Sequence, residues 1–475
     1  MKNKITIFTS LHKRGFFLTV VMSLLLLAAP VKAELPTAKQ LATKMKLGIN
    51  LGNTLECPYG ETGWGAAYTT QRLIDSIKNA GFNTIRLPVA WFTHSDTVKN
   101  IIQDAWLSRV REVVNYCIKD SMYVVLNIHW DSGWLENHVT VADSARVNAR
   151  QKAYWTQIAN YFKYYGDHLL FACANEPNNV DKAIGRTVFE SYVQTFIKAV
   201  RGTGGNNSSR TLIFQGDMDY SGIPKDLISD RLMFEIHNYP YQFSLQPEDM
   251  LNPWCGGCGQ MLYVCYYWGK GNHSLTDSKR NPSYDEEADI DKFFNTLKTR
   301  FTDKGVPVII GEYAAWKRSN LVAGADTALH YKSVEYYHYR IVKGALQIGA
   351  IPYRWDVPGG LFDRKTGKVS DWDIINAMKK GLKEALETTS VSNVMLSDNI
   401  KLYPNPFKTT FCLKLDSPEQ VKGISVHDMT GRLVETVACS NYQDTYFLGN
   451  DLKSGLYIVK VNELNGVNSI KIIKE

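Results

Sequence analysis

Eight short apolar runs recur between positions 47 and 386, and polar or amphipathic stretches separate them. The runs are 48–51, 83–87, 123–128, 169–173, 211–214, 232–236, 307–310 and 350–353. Most are continuous and rich in Ile, Leu and Val, as strands covered on both faces must be. Segments with helical spacing lie between them at 69–80, 144–165, 188–201, 286–302, 329–347 and 371–386. The first places Leu73 and Ile77 on one face and stops at Gly81, a residue suited to a helix C-terminus. Strand–helix alternation implies a parallel α/β sheet. Eight repeats predict a closed (β/α)8 TIM barrel, enlarged by insertions beyond about 250 residues. The largest insertion is 238–284, after the sixth run. A doubly wound open sheet is the runner-up, but no Gly-rich phosphate loop follows the first run.

The flanks read differently. Lys2, Lys4, Lys13 and Arg14 precede an apolar run from Phe16 to Ala29, and Val31, Lys32 and Ala33 offer a small-residue exit. That order describes a secretory signal peptide over 1–33, since the run falls short of the ~20 residues of a membrane span. The barrel domain is expected over 34–386 and a Thr/Ser/Asn-rich linker over 387–397. From 398 to 475 short alternating runs follow closely spaced turns, which predicts a small all-β sandwich.

The formal charge of +7 hints at nucleic acid until it is located. Five basic residues and no acidic ones lie in 1–33, so the remainder carries only +2. No nucleic-acid partner is expected, and the chain is expected to act as a monomer. Export permits disulfides among the eight cysteines, with Cys57, Cys255, Cys258 and Cys265 as candidates. Their connectivity stays open. Zinc at Cys255 and Cys258 lacks a second matching pair. Cys117 and Cys173 read as buried thiols, and Cys412 and Cys439 are a further candidate pair.

Barrel active sites stand at the C-terminal ends of strands. The residues there are Asn50 and Asn53, Arg86, His129 and Trp130, Asn175 and Glu176, His237 and Tyr239, Glu312, and Trp355. Glu176 and Glu312 are expected to face one cavity. Two carboxyls can cleave a glycosidic bond, one giving a proton to the leaving oxygen. The other attacks the anomeric carbon at a separation of about 5–5.5 Å, or activates water at about 6.5–9.5 Å. Arg86 is permanently charged and can hold a carboxylate ionised, though a structural ion pair is the more common fate of a lone Arg. Asn175 can bond a sugar 2-hydroxyl, and Tyr239 can orient the nucleophile. His129 and His237 lack the carboxylate spacing of a metal site and suit sugar hydroxyls. Trp130, Trp134 and Trp355 can stack on sugar faces or pack in the core. No metal and no cofactor are expected.

These residues fall in Gly-Ile-Asn-Leu-Gly-Asn-Thr-Leu-Glu (48–56), Asn-Thr-Ile-Arg-Leu-Pro (83–88), Leu-Asn-Ile-His-Trp-Asp (126–131), Ala-Asn-Glu-Pro (174–177), Ile-His-Asn-Tyr (236–239), Ile-Gly-Glu-Tyr (310–313) and Tyr-Arg-Trp-Asp (353–356). In that order they resemble the strand-end motifs of glycoside hydrolase family 5, most of all its endo-β-1,4-glucanase (cellulase) branch. The resemblance implies a retaining hydrolase with Glu176 as general acid/base and Glu312 as nucleophile. It implies a substrate of cellulose or a related β-glucan, with xyloglucan, mixed-linkage glucan or mannan as alternatives for the same chemistry. Arg86, His129, Asn175, His237, Tyr239 and Trp355 match the surrounding positions.

The tail carries Tyr-Pro-Asn-Pro-Phe (403–407), Val-His-Asp-Met-Thr-Gly-Arg (426–432), Ser-Gly-Leu-Tyr-Ile-Val-Lys (454–460) and a terminal Ile-Lys-Ile-Ile-Lys-Glu. It resembles the C-terminal sorting domain of type IX secretion substrates. That implies a type IX machinery partner and export through the periplasm of a Gram-negative bacterium to the surface or medium. The alternative, a carbohydrate-binding module, suits the tail less because it has no Trp. A non-catalytic glycan-binding barrel and a zinc hydrolase are the readings from other classes.

Overall fold

The computed structural model describes residues 34–216, 230–240, 243, 265–319, 321, 323–392, 400–439, 441–464 and 466–475. The expected signal segment and residues 241–242 and 244–264 of the 238–284 insertion, with Cys255 and Cys258, lie outside the described residues.

Eight strands close a barrel: β1 (Gly48–Leu51), β2 (Thr84–Leu87), β3 (Tyr123–Asn127), β4 (Leu169–Ala172), β5 (Leu212–Gln215), β6 (Leu232–His237), β7 (Val308–Tyr313) and β8 (Ile351–Asp356). Each pairs in parallel with its neighbours in sequence, and β8 returns to β1. The helices are α1 (Ala38–Lys44), α2 (Gln71–Asn79), α3 (Asp104–Lys119), α4 (Ser144–Tyr161), α5 (Ala183–Gly202), α6 (Glu287–Arg300), α7 (Thr327–Gln347) and α8 (Trp372–Ser392). The barrel expected from the alternating runs is present, and the open sheet is excluded.

Side-chain alternation separates two cores. Along β3, Val124 and Leu126 pack outward among the helices, while Val125 points into the barrel. Val125, Leu170, Ile213, Met233, Ile309 and Ile351 fill the interior, and Leu41 of α1 with Met45 just after it plugs the N-terminal end. Thr37 caps α1 in a reciprocal pairing with Gln40. Each such aliphatic side chain contributes about 1.5–3 kcal/mol on burial. With the N-terminal end of the barrel sealed by apolar packing, polar residues are left to the opposite rim.

The structure differs from the expected boundaries in instructive places. Strands β6, β7 and β8 run on through His237, Glu312 and Trp355, so these residues lie within strands rather than past them. Parallel pairing continues there, with His237 opposite Glu312 and Asn50 opposite both Arg86 and Trp355. Glu176 is the reverse case, since β4 stops at Ala172. Helix α3 was not among the expected helical segments, although Trp106, Leu107, Val110, Val113, Val114 and Cys117 form a buried stripe along it. Helix α8 continues to Ser392, into the expected linker.

The tail forms strands β9 (Ile400–Tyr403), β10 (Phe411–Leu415), β11 (Val421–Asp428), β12 (Leu433–Ala438), β13 (Thr445–Leu448), β14 (Gly455–Glu463) and β15 (Gly466–Lys474). They build two antiparallel sheets, β9-β10-β13 and β12-β11-β14-β15. Both contribute to one core around Phe411, Leu413, Val426 and Val459. Cys412 and Cys439 do not pair: Cys412 sits in one sheet, Cys439 follows the edge strand of the other, and both are free thiols. Cys57, Cys117, Cys173 and Cys265 are buried, and no disulfide joins any two described cysteines.

Candidate active site

Arg86 organises the C-terminal rim of the barrel. It is inward-facing on β2 and fully buried. Its Nη1 donates to Glu312 Oε1 at 2.8 Å and to Asn50 Oδ1 at 2.9 Å, and its Nη2 donates to Asn175 Oδ1 at 2.6 Å. Its Nε forms an ion pair with Glu235 Oε1 at 2.9 Å. Burial opposes this charge, but Glu235 and Glu312 more than offset the loss of solvent and raise the pKa of Arg86. Asn50, a strand-end candidate from sequence, is buried beneath the rim. Its Nδ2 donates to the Gly311 carbonyl at 2.8 Å, which turns its oxygen toward Arg86.

Glu312 is buried on β7 and receives a second donor, Tyr239 Oη, at 2.9 Å on Oε2. Burial raises its pKa above the ordinary carboxylate range, against the downward pull of His237, Arg86 and the Tyr239 hydroxyl. Glu176 opens onto the cleft, with 54% of its side chain exposed. Its backbone adopts a left-handed φ of 47°, a conformation rare for a non-Gly residue and costly unless its surroundings hold it. Gln215, at the end of β5, helps to hold it by accepting the Glu176 backbone N–H at 2.7 Å. His237 Nδ1 meets Glu176 Oε1 at 2.7 Å. Desolvation works against the charge on Glu176, but this contact and then Arg86 bring its pKa below the usual value.

The residues expected from sequence to face a ligand lie around this pair. Asn127 Oδ1 accepts the Val89 N–H, so its amide donates to His129 Nδ1 at 3.1 Å. This assignment leaves Nε2–H as the donor of His129. Burial, with Arg86 and His237 nearby, pushes the His129 pKa well down and keeps the ring neutral. Trp355 stacks on that ring, with centroids 5.6 Å apart and planes within 10°. Trp130 is 42% exposed. Trp134 is not a platform. It is buried against Phe92 and Tyr154, because the turn after β3 folds it back under the loop.

Asn127, Gln215 and Glu235 were not picked out by sequence reasoning. Each belongs to the inward face or the end of a barrel strand, so two-residue alternation from His129 and His237 would have found Asn127 and Glu235. Ligand atoms of Glu176, His237 and Glu312 converge within 4.8 Å of one another. A cation could span such a cluster, but Arg86 and a charged His237 already supply its positive charge. An excess of carboxylates around fixed donors, opening on aromatic faces, suits acid/base chemistry on a neutral hydroxylated ligand.

Comparison with known proteins points the same way. Residues 49–347 match the family model "Cellulase (glycosyl hydrolase family 5)", and residues 401–475 match the "Secretion system C-terminal sorting domain". A xyloglucan-specific endo-β-1,4-glucanase of Bacteroides ovatus is 34% identical over 73% of this chain and 70% of its own length. Endoglucanase B of Clostridium cellulovorans is 33% identical over 75% of this chain and 78% of its own. Among solved structures, a family 5 xyloglucan-specific β-1,4-glucanase from a ruminal metagenomic library, in complex with XXLG, superposes with a TM-score of 0.65. It is 37% identical and covers 73% of this chain and 96% of its own.

Proposed function

The chain belongs to glycosyl hydrolase family 5, and from that premise we propose that it cleaves the backbone of β-1,4-glucans internally, with retention of configuration at the anomeric carbon. The observation that carries retention is the approach of the two carboxyls. An oxygen of Glu176 lies within 4.8 Å of one of Glu312. That suits direct attack at about 5–5.5 Å between carboxyl groups and leaves too little room for the water of an inverting enzyme.

In this reading Glu312, ionised against Arg86 and Tyr239, attacks the anomeric carbon while Glu176 protonates the departing oxygen. Glu176 then takes a proton from water, and the water oxygen releases the sugar from Glu312. Asn175, with its oxygen engaged by Arg86, turns its amide to the sugar 2-hydroxyl. His129 bonds a neighbouring hydroxyl. Trp355 and Trp130 stack against the chain of sugars, which explains the use of exposed aromatics for an uncharged polymer. Residues 34–386 are the catalytic unit, 387–397 lead to the tail, and 398–475 serve sorting. The chain carries a type IX sorting domain and is directed to the cell surface or medium. The route begins with removal of 1–33 and passes through the periplasm.

The test is reducing-sugar release and product sizing on a panel of soluble cellulose derivative, xyloglucan, mixed-linkage glucan and mannan, with the unaltered chain and Glu312→Gln. Internal cleavage of one or more β-1,4-glucans that is lost in Glu312→Gln supports the reading. Turnover that survives the substitution removes it.

A further inference from the structure

Below the two carboxyls lies a third that the hydrolytic step does not use. Glu235 is inward-facing on β6 and fully buried. One of its oxygens, Oε1, is shared between Arg86 Nε at 2.9 Å and His237 Nε2 at 3.2 Å. The neighbouring strand leaves space for it. A Cβ added at Gly311 would stand 2.1 Å from that same oxygen. Glu235 Oε2 has no hydrogen-bond partner among the described residues. An ionised carboxylate left half-satisfied in a barrel core is a stability cost, and such costs concentrate where function requires them.

His237 links this group to the chemistry. Its Nε2 faces Glu235, while its Nδ1 faces Glu176 Oε1 at 2.7 Å and Glu312 Oε2 at 3.7 Å. Among the described residues, the neutral His129 also lies in its field, Arg86 shares its Glu235 partner, and the Tyr239 hydroxyl is committed to Glu312. With a carboxylate at each nitrogen, both nitrogens act as donors. Burial disfavours the resulting imidazolium, but Glu312, Glu176 and Glu235 push its pKa up to about 10.

We propose that Glu235 is a positioning residue for the reaction. Its shared oxygen holds Arg86 in place and turns the Nδ1–H of His237 onto Glu176, so that the catalytic proton is kept on the Glu176–His237 pair. This rests on the acid/base role given to Glu176 above. In the first half-reaction the Nδ1–H bond breaks as a proton passes to Glu176. Glu176 passes a proton to the glycosidic oxygen as the C1–O bond breaks and Glu312 bonds C1. His237 is left neutral. In the second half, the proton taken from water by Glu176 returns to Nδ1 and restores the imidazolium.

The test is the pH profile of kcat/KM for the full chain and for Glu235→Gln. Two substrates are used, a soluble cellulose derivative and a dinitrophenyl β-cellobioside whose leaving group needs no proton. The expected result is an alkaline limb moved to lower pH by about one unit or more, because removing a nearby anion lets His237 release its proton sooner. Polymer turnover at neutral pH falls at least about tenfold, the dinitrophenyl substrate loses much less, and Glu235→Asp returns the limb toward its original position. An unmoved limb, or equal losses on both substrates, overturns the proposal. Should Glu235→Gln fail to fold, nitrogen-15 histidine spectra of the unaltered chain decide, with His237 assigned by the signal lost in His237→Asn. Both ring nitrogens protonated at pH 8 support the proposal, and a neutral ring there overturns it. If Glu176→Gln keeps full polymer activity, the acid/base assignment itself fails. If that variant is inactive while Glu235→Gln behaves as the unaltered chain, only the role of Glu235 fails.

Discussion

Arg86 Nη2 lies 2.6 Å from Asn175 Oδ1, and this bond ties the buried cation on β2 to the loop that presents Glu176. The amide orientation of Asn175 follows from it, because an oxygen committed to Arg86 leaves only the NH2 for a ligand. Asn175→Ala is therefore expected to lower kcat/KM on the order of 100-fold, as a transition-state hydrogen bond to the sugar 2-hydroxyl is lost. The loss should shrink on a 2-deoxy aryl glycoside, which has no hydroxyl to bond. Equal losses on both substrates would count against that contact.

Tyr239 donates to Glu312 at 2.9 Å, and a donor to the charged form lowers a carboxyl pKa. Burial already holds Glu312 above the ordinary range, so the acid limb of kcat/KM is expected above the range of an exposed Glu. In Tyr239→Phe that limb should move to still higher pH, with kcat down on the order of 10- to 100-fold. A limb that stays in place would remove Glu312 as the group that must be ionised.

Glu136, in a helical turn after β3, is fully buried, and burial, against the pull of nearby backbone N–H groups, pushes its pKa up to about 8. The unfolded chain gives up this proton near pH 4.3 and the folded chain near pH 8, so stability falls as pH rises through that window. Glu136→Gln keeps a neutral polar group throughout. Its melting temperature should match the unaltered chain near pH 4 and exceed it at pH 8, by an amount corresponding to about 1–4 kcal/mol. A gap that is the same at both pH values would contradict the buried, protonated state.

Two tryptophans in the same loop should separate cleanly. Trp130 is partly exposed, and Trp130→Ala is expected to raise KM several-fold to about tenfold with little change in melting temperature. Trp134 packs between Phe92 and Tyr154, and Trp134→Ala should cost about 3–5 kcal/mol of stability. Thermal melts beside Michaelis curves for both variants distinguish a sugar platform from a core residue.

The barrel was legible in the sequence because strands buried on both faces must be continuous apolar runs, and eight of them stand in register with the observed strands. The candidate site was legible for a related reason. Arg86, His129, Asn175, Glu176, His237, Tyr239, Glu312 and Trp355 punctuate those runs with groups that an apolar barrel does not need. Glu235 and Asn127 were passed over because each sits inside an apolar run, where only two-residue alternation from His237 and His129 shows that it points inward. Trp134 stayed open between platform and core because exposure depends on how a loop folds back, which residue type does not encode. The path of α8 through Ser392 was missed because Thr and Ser weaken helical propensity without forbidding a helix that packs along α7.

In the proposed reaction Glu312 bonds the anomeric carbon. The most direct measurement is trapping with a dinitrophenyl 2-deoxy-2-fluoro-β-cellobioside, followed by peptide mass analysis. The fluorine slows breakdown of a glycosyl-enzyme more than its formation. The expected result is one fluorocellobiosyl group per chain, on the peptide that contains Glu312, with activity lost in proportion. No label, or a label on another carboxyl, would contradict it.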